Sequence, residues 1–586
     1  AIDYFANNSE VKFRVNTYYP DYHDLPGGAL GGRSMGVLPF DGRKLGFAGP
    51  VRLNGTIHER GTIWDGQGQL PGGEWIGWSA VRQSGPSARK EKKERTDALD
   101  SLWAAPTGTV WYPLGAYGRP MLPDTETVIF RNATVWTNGP LGTIPRADVA
   151  IHGGRIVGVG QRLDPALLFP GRHRPTVQEI DATGRHLTCG IIDEHSHIAI
   201  TRGVNEGSQA ITAEVRIGDV TDPDDVDIYR NLAGGVTAVQ QLHGSANPIG
   251  GQSALTKLRW GQPAERMHIA GADGFIKFAL GENVKQSNWH TDGSRFPQTR
   301  MGVEQLMYDA FHRAKEYRAE WRAFEAASTR PAPVRGRRGA KPEAPSLKGA
   351  PRRDLELEAL AEILEKKRFI SCHSYVQSEI AMLMDVADSM GFTVQTFTHV
   401  LEGYKVAQRL KEHGATASTF SDWWAYKMEV GDAIPHNAAL LDRMGVNTCI
   451  NSDDAEMARR LNQEAAKAVK YGGATPEAAW RMVTLNPAKA LRLDARMGSV
   501  EVGKDADIVL WSADPLSIDA KVELTFVDGV RCFDRAEDAR LREAMRTERE
   551  RLVAKMIAAK KAGAPARKAE RREKRHWECE TIGEEP

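Results

Sequence analysis

GIIDEHSHI, residues 190–198, sets His195 and His197 two positions apart at the end of an apolar, strand-like run. Side chains alternate along a strand, so both imidazoles leave on one face and form a chelating pair. Outward from this stretch, apolar runs alternate with helical patterns, the arrangement expected of parallel strands joined by crossover helices. Eight runs qualify: 190–198, 236–244, 253–260, 273–281, 369–376, 392–400, 415–422 and 445–454. Eight such units predict an α/β fold, a (β/α)8 TIM barrel over 190–494, with its active site at the carboxyl ends of the strands.

Three more metal donors stand at such ends: His373 on the fifth run, His399 on the sixth and Asp453 on the eighth. Imidazole and carboxylate suit zinc and similar divalent ions, and three or four protein donors leave a position for water. A lone HxH pair would count for little, because buried histidines are commonly satisfied by backbone hydrogen bonds. The gathering of every donor at strand ends points to a metal-dependent enzyme.

Both flanks of the barrel carry strand-and-turn grammar. Residues 126–189 contain TVIFRNATVWT and ADVAIHGGRIVGVG, and residues 495–535 contain MGSVEVGKDADIVLW and VELTFVDGVRCFD. These distant segments are expected to complete one small β-sandwich. Residues 1–125, rich in Gly, Pro, Tyr and Trp, predict an irregular β-rich region with a solvated helix at 88–103. A basic, proline-rich insertion at 328–354 predicts a surface loop. Residues 536–586 predict a charged helix and tail, in which His576 and Cys579 are too few for a metal site.

The bulk composition agrees with this division. A chain of 586 residues exceeds one ordinary core, and 41% hydrophobic with 26% charged residues is globular. With 77 basic against 76 acidic residues, no overall field attracts nucleic acid or an anionic membrane. Five scattered cysteines without a CxxC pair indicate neither a disulfide framework nor a zinc ribbon. No apolar run reaches the roughly 18 residues of a membrane span. The first residue is Ala, so a leader could have been removed, and the expected localisation is open between cytoplasmic and exported soluble protein.

Over residues 127–535 the chain resembles the amidohydrolase superfamily, specifically its imidazolonepropionase-related and prolidase-like members. The resemblance rests on GIIDEHSHI, CHSY (372–375), THVLEGYK (398–405), NSDDAE (451–456) and the returning segment TLNPAKALRLDARMGSVEVGKDADIVLW (484–511). It implies that Lys277, in DGFIKFALGEN, is carboxylated by carbon dioxide and bridges two divalent metal ions, zinc by default. His195, His197, Lys277 and Asp453 would then hold one metal, and Lys277, His373 and His399 the other. A hydroxide bridging the two would attack an amide or peptide C–N bond, with Asp453 as general base. Dipeptides, as for a prolidase, or N-acyl amino acids would be the substrates, and a homo-oligomer is implied. His243, Gln252, Tyr375, Tyr404 and Trp423 are expected to shape the substrate site. Two other readings stay open: a mononuclear cyclic-amide hydrolase or deaminase, and a non-catalytic metal-barrel binding module. Against a deaminase, HSYVQSE (373–379) puts its first glutamate, Glu379, six positions after His373, not three.

Overall fold

The structure is a computed structural model describing residues 10–14, 36–39, 52–58, 63–69, 75–81, 110–170, 175–285, 295–328 and 349–564. The chain divides into two compact units, residues 1–108 and 109–586. In the first, β1 (Glu10–Arg14), β2 (Gly36–Pro39), β3 (Arg52–His58), β4 (Ile63–Gln69) and β5 (Trp75–Val81) pair antiparallel in the order β2-β1-β5-β4-β3. The helix expected at 88–103 lies outside the described residues.

The second unit contains two sheets. One combines β6 (Val128–Trp136), β7 (Thr143–His152), β8 (Arg155–Gly160), β9 (Gln178–Asp181) and β10 (His186–Cys189) with β19 (Ile508–Trp511), β20 (Val522–Val527) and β21 (Val530–Asp534). The halves join where β10 runs antiparallel to β19, pairing Leu187 with Leu510 and Cys189 with Ile508. Two tight turns serve its hairpins: Gly153-Gly154 at φ 56° and 77°, and Asp528-Gly529 at φ 48° and 74°. Both centres are left-handed, as the twist of a two-residue hairpin requires.

The other sheet is the barrel wall: β11 (Ile191–Ser196), β12 (Val236–Gln241), β13 (Ile249–Lys257), β14 (Gly274–Ala279), β15 (Arg368–Ser374), β16 (Val394–His399), β17 (Thr416–Thr419) and β18 (Thr448–Ile450). Each of the eight expected runs contributes a strand, but the direction of one differs. β13 is antiparallel to both β12 and β14. The connection from β12, residues 242–248, is too short for the dozen or more residues of a parallel crossover, so the chain turns back directly.

Elsewhere helices cover the wall, including Arg300–Ser328, Leu355–Leu364 and Gln377–Met390, which bury Phe311, Leu360, Leu383 and Met384 against Phe278, Ile370 and Phe397. The insertion falls between the first two of these helices, and its residues 329–348 lie outside the described residues. The C-terminal helix Arg535–Lys561 is capped by Asp534 and buries no residue. The tail with His576 and Cys579 again lies outside the described residues.

Candidate metal centre

His195, His197, Lys277, His373, His399 and Asp453 meet at the carboxyl ends of β11, β14, β15, β16 and β18, all buried. Asp453 is the hub. One of its oxygens lies 3.3 Å from Nε2 of His195 and 3.1 Å from Nε2 of His197. The other lies 3.7 Å from Nε2 of His399. Lys277 Nζ is 3.0 Å from Nε2 of His195. The His373 ring approaches His399 edge-on with centroids 4.6 Å apart.

Local backbone explains part of this convergence. β14 and β15 pair in parallel with Lys277 opposite Ser371 and Ala279 opposite His373, so the lysine and the histidine rise from neighbouring strands. His399 and Asp453 have φ of 69° and 50°, a conformation that costs a non-glycine residue energy and is held by its surroundings. His197 is oriented by a 2.9 Å hydrogen bond from Nδ1 to the Leu242 carbonyl, which leaves Nε2 directed at Asp453.

Burial governs the charges. It drives His195 and His373 well below the usual imidazole range and His399 down to about 3, with neighbouring cations acting in the same direction. Their rings are neutral at pH 7, the form in which an imidazole nitrogen can bind a metal. Burial raises Asp453, but the His197 hydrogen bond and the electrostatic pull of neighbouring His399, His197 and Lys277 outweigh it and hold the carboxyl at about 2.

The donor set fits a metal. One ligand atom each from His195, His399 and Asp453 lie within 4.8 Å of one another. Neither ring nitrogen of His373 has a hydrogen-bond partner among the described residues, an arrangement costly in a buried site unless a cation takes the lone pair. A second carboxylate group, Asp505, Asp507 and Asp528, is filled differently: Lys257 Nζ lies 2.7, 2.9 and 2.5 Å from them.

The other expected site residues divide. Tyr375 packs edge-on to His373 and stacks on His399, with centroids 4.6 and 5.4 Å away. Trp423 stacks on Phe420, which itself stacks on His399. His243 is engaged by backbone on both nitrogens, at 2.9 Å to the Gly244 carbonyl and 2.8 Å from the Glu206 amide. Gln252 donates to the Ala213 carbonyl and Tyr404 to that of Asp432, so these two brace loops.

Sequence reasoning missed Phe420, Tyr426 and Lys427. Tyr426 is 3.0 Å from the Tyr375 hydroxyl, and Lys427 lies 4.3 Å from the Tyr375 ring centroid. Phe420 directly follows β17, the seventh barrel strand, and so shares the strand-end position of the ligands without their residue type. It also missed Asp193, whose carboxylate reaches Ser452 beside Asp453.

The chain is similar to known proteins of one family. A family model described as "Amidohydrolase family" matches residues 357–532. Amidohydrolase tasK of Hapsidospora irregularis is 30% identical over 450 residues, covering 70% of this chain, which spans only 43% of that relative's length. Imidazolonepropionase of Rhizobium meliloti (strain 1021) is 24% identical over 428 residues, 66% of this chain and 91% of its own. Among solved structures, an amidohydrolase from Thermotoga maritima MSB8 has TM-score 0.60 and 30% identity, covering 70% of this chain and 100% of its own.

Proposed function

The chain belongs to the amidohydrolase family and is a hydrolase, and we propose that it cleaves the C–N bond of an amide or peptide. The observation that carries this reading is the convergence of four buried histidines on Asp453, with no hydrogen-bond partner for either His373 nitrogen among the described residues. His195, His197, Lys277 and Asp453 would hold one divalent ion, and Lys277, His373 and His399 a second, with zinc the expected metal. Such ions lower the pKa of water toward neutrality and polarise a carbonyl, contributions of several kcal/mol to the barrier.

The protein's own groups supply the rest. Lys277 would act as a carbamate formed with carbon dioxide, because an ammonium beside two dications is repelled whereas a carbamate offers two anionic oxygens. Asp453, ionised at neutral pH, accepts the proton of the attacking water and passes it to the leaving nitrogen. Tyr375, Phe420 and Trp423 form an aromatic wall that excludes water from one side.

A glutamate-based deamination is disfavoured by the placement of Glu379. One of its oxygens accepts from the Gly281 amide at 3.0 Å and pairs with Arg300 at 3.1 Å. The test supplies the full chain with zinc and bicarbonate and offers dipeptides, N-acyl amino acids, cyclic amides and amino-substituted heterocycles. Hydrolysis of the first two classes, lowered by at least about 10³-fold in Asp453→Asn, is the expected result. Ammonia release from the heterocycles alone overturns it.

A further inference from the structure

Strand pairing runs in the order β11 to β18, and among the described residues no ladder joins β18 back to β11. Asp453 sits at that seam, where ladder hydrogen bonds would otherwise set its backbone. The seam is bridged mainly by a side chain. Asp193 Oδ2 accepts from the Ser452 hydroxyl at 2.5 Å, and Oδ1 accepts from the Ser452 amide at 3.2 Å and the His195 amide at 3.4 Å. Immediately beyond, the Asp453 amide donates to the His195 carbonyl at 3.2 Å. On the far side the Asp454 amide approaches the Ser452 hydroxyl at 3.4 Å, and the Asp454 carboxylate accepts from the amides of Glu456 and Met457 at 2.9 and 2.6 Å.

We infer that Asp193 and Ser452 are positioning residues that lock Asp453 into its left-handed turn and aim its carboxylate at the His195–His197 pair. The physical grounds are threefold. Asp193 and Ser452 are almost wholly excluded from solvent, so the 2.5 Å hydrogen bond between them is not exchanged for water. The bond spans 259 positions of sequence, so it ties the first strand to the last. Asp453 at φ 50° relaxes toward ordinary strand conformation unless its neighbours forbid it, and the residues before and after it are both tethered. The same tether sets the spacing between Asp453 and the two histidines of β11, because Asp193 and His195 share that strand.

This inference rests on the reading of Asp453 as a metal ligand and proton acceptor, and its test does not depend on knowing the substrate. Cobalt(II) is titrated into the full chain and its visible absorption recorded, for wild type, Ser452→Ala, Asp193→Asn and the control Lys257→Met, which disrupts a buried ion cluster outside the metal centre. Both seam variants are expected to weaken cobalt binding by about 10–100-fold and to shift the band positions and intensities. Where an amide substrate is in hand, kcat falls with KM nearly constant. The control lowers thermal stability and leaves the cobalt spectrum unchanged. Seam variants that lose stability yet keep the wild-type spectrum and affinity overturn the inference, since a merely structural tie behaves that way. A wild type that binds no cobalt overturns the metal reading and this inference together. Binding with normal seam effects but no amide hydrolysis overturns only the substrate assignment.

Discussion

His373 has two buried ring nitrogens with no hydrogen-bond partner among the described residues, so its removal tests the second proposed ion. Elemental analysis of protein purified with bicarbonate should find two divalent ions per chain, falling to one in His373→Ala and to one or none in Lys277→Ala; unchanged content in both variants would remove these residues from the centre. His243 supports a second prediction. Burial lowers it to about 4, against about 6.5 in an unfolded chain. The unfolded form therefore takes up the proton first as pH falls, and stability is lost between about 6.5 and 4, by roughly 3 kcal/mol at this one site. Denaturant unfolding across that range should show the loss, and His243→Asn should reduce its slope by this one site's share, the buried His195, His373 and His399 supplying the rest; an equal slope in both proteins would refute the assignment. His195, His197, His373, His399 and Asp453 could be picked out by residue type and strand-end position. Phe420 and Asp193 could not, because an apolar ring and a carboxylate are common in strands and reveal a role only through the partner they meet.

Among the elements, β13 carries the main departure from expectation. Apolar periodicity is the same read in either direction, so the sequence marked a strand there without indicating which way it ran. The short 242–248 link decides that, and it brings Gly250 and Gly251 beside His243 at the mouth of the barrel. A Cβ on Gly250 would lie 2.8 Å from His243 Nδ1 and 3.2 Å from the Lys277 carbonyl oxygen, which belongs to the backbone of a proposed metal-binding strand. Gly250→Ala should therefore cost about 1–3 kcal/mol and weaken metal binding at the same time. Unfolding midpoints and metal titration read the two effects, and a variant with wild-type values in both would show that the turn is more pliant than the contacts suggest.

Across the whole molecule, the reversal of β13 sends Lys257 to the end of the barrel away from the metal centre, where it meets Asp505, Asp507 and Asp528 of the returning segment. That cluster pins the barrel to the sheet built from both flanks, and Arg259 and Arg496 add pairs to Asp528 and Asp505. Lys257→Met should cost about 3–5 kcal/mol, because it leaves buried carboxylates without their cation; thermal unfolding of the full chain measures this, and an unchanged midpoint would refute it. The sequence by itself determined the donor types, their places at strand ends and the eight runs of the barrel wall, since each depends on residues near one another in the chain. Only the tertiary structure decided the direction of β13, the joining of β10 to β19, the turn that presents Asp453 and the carboxylates that surround Lys257. Those features come from contacts between residues far apart in sequence, whose energies no local pattern of residue type contains.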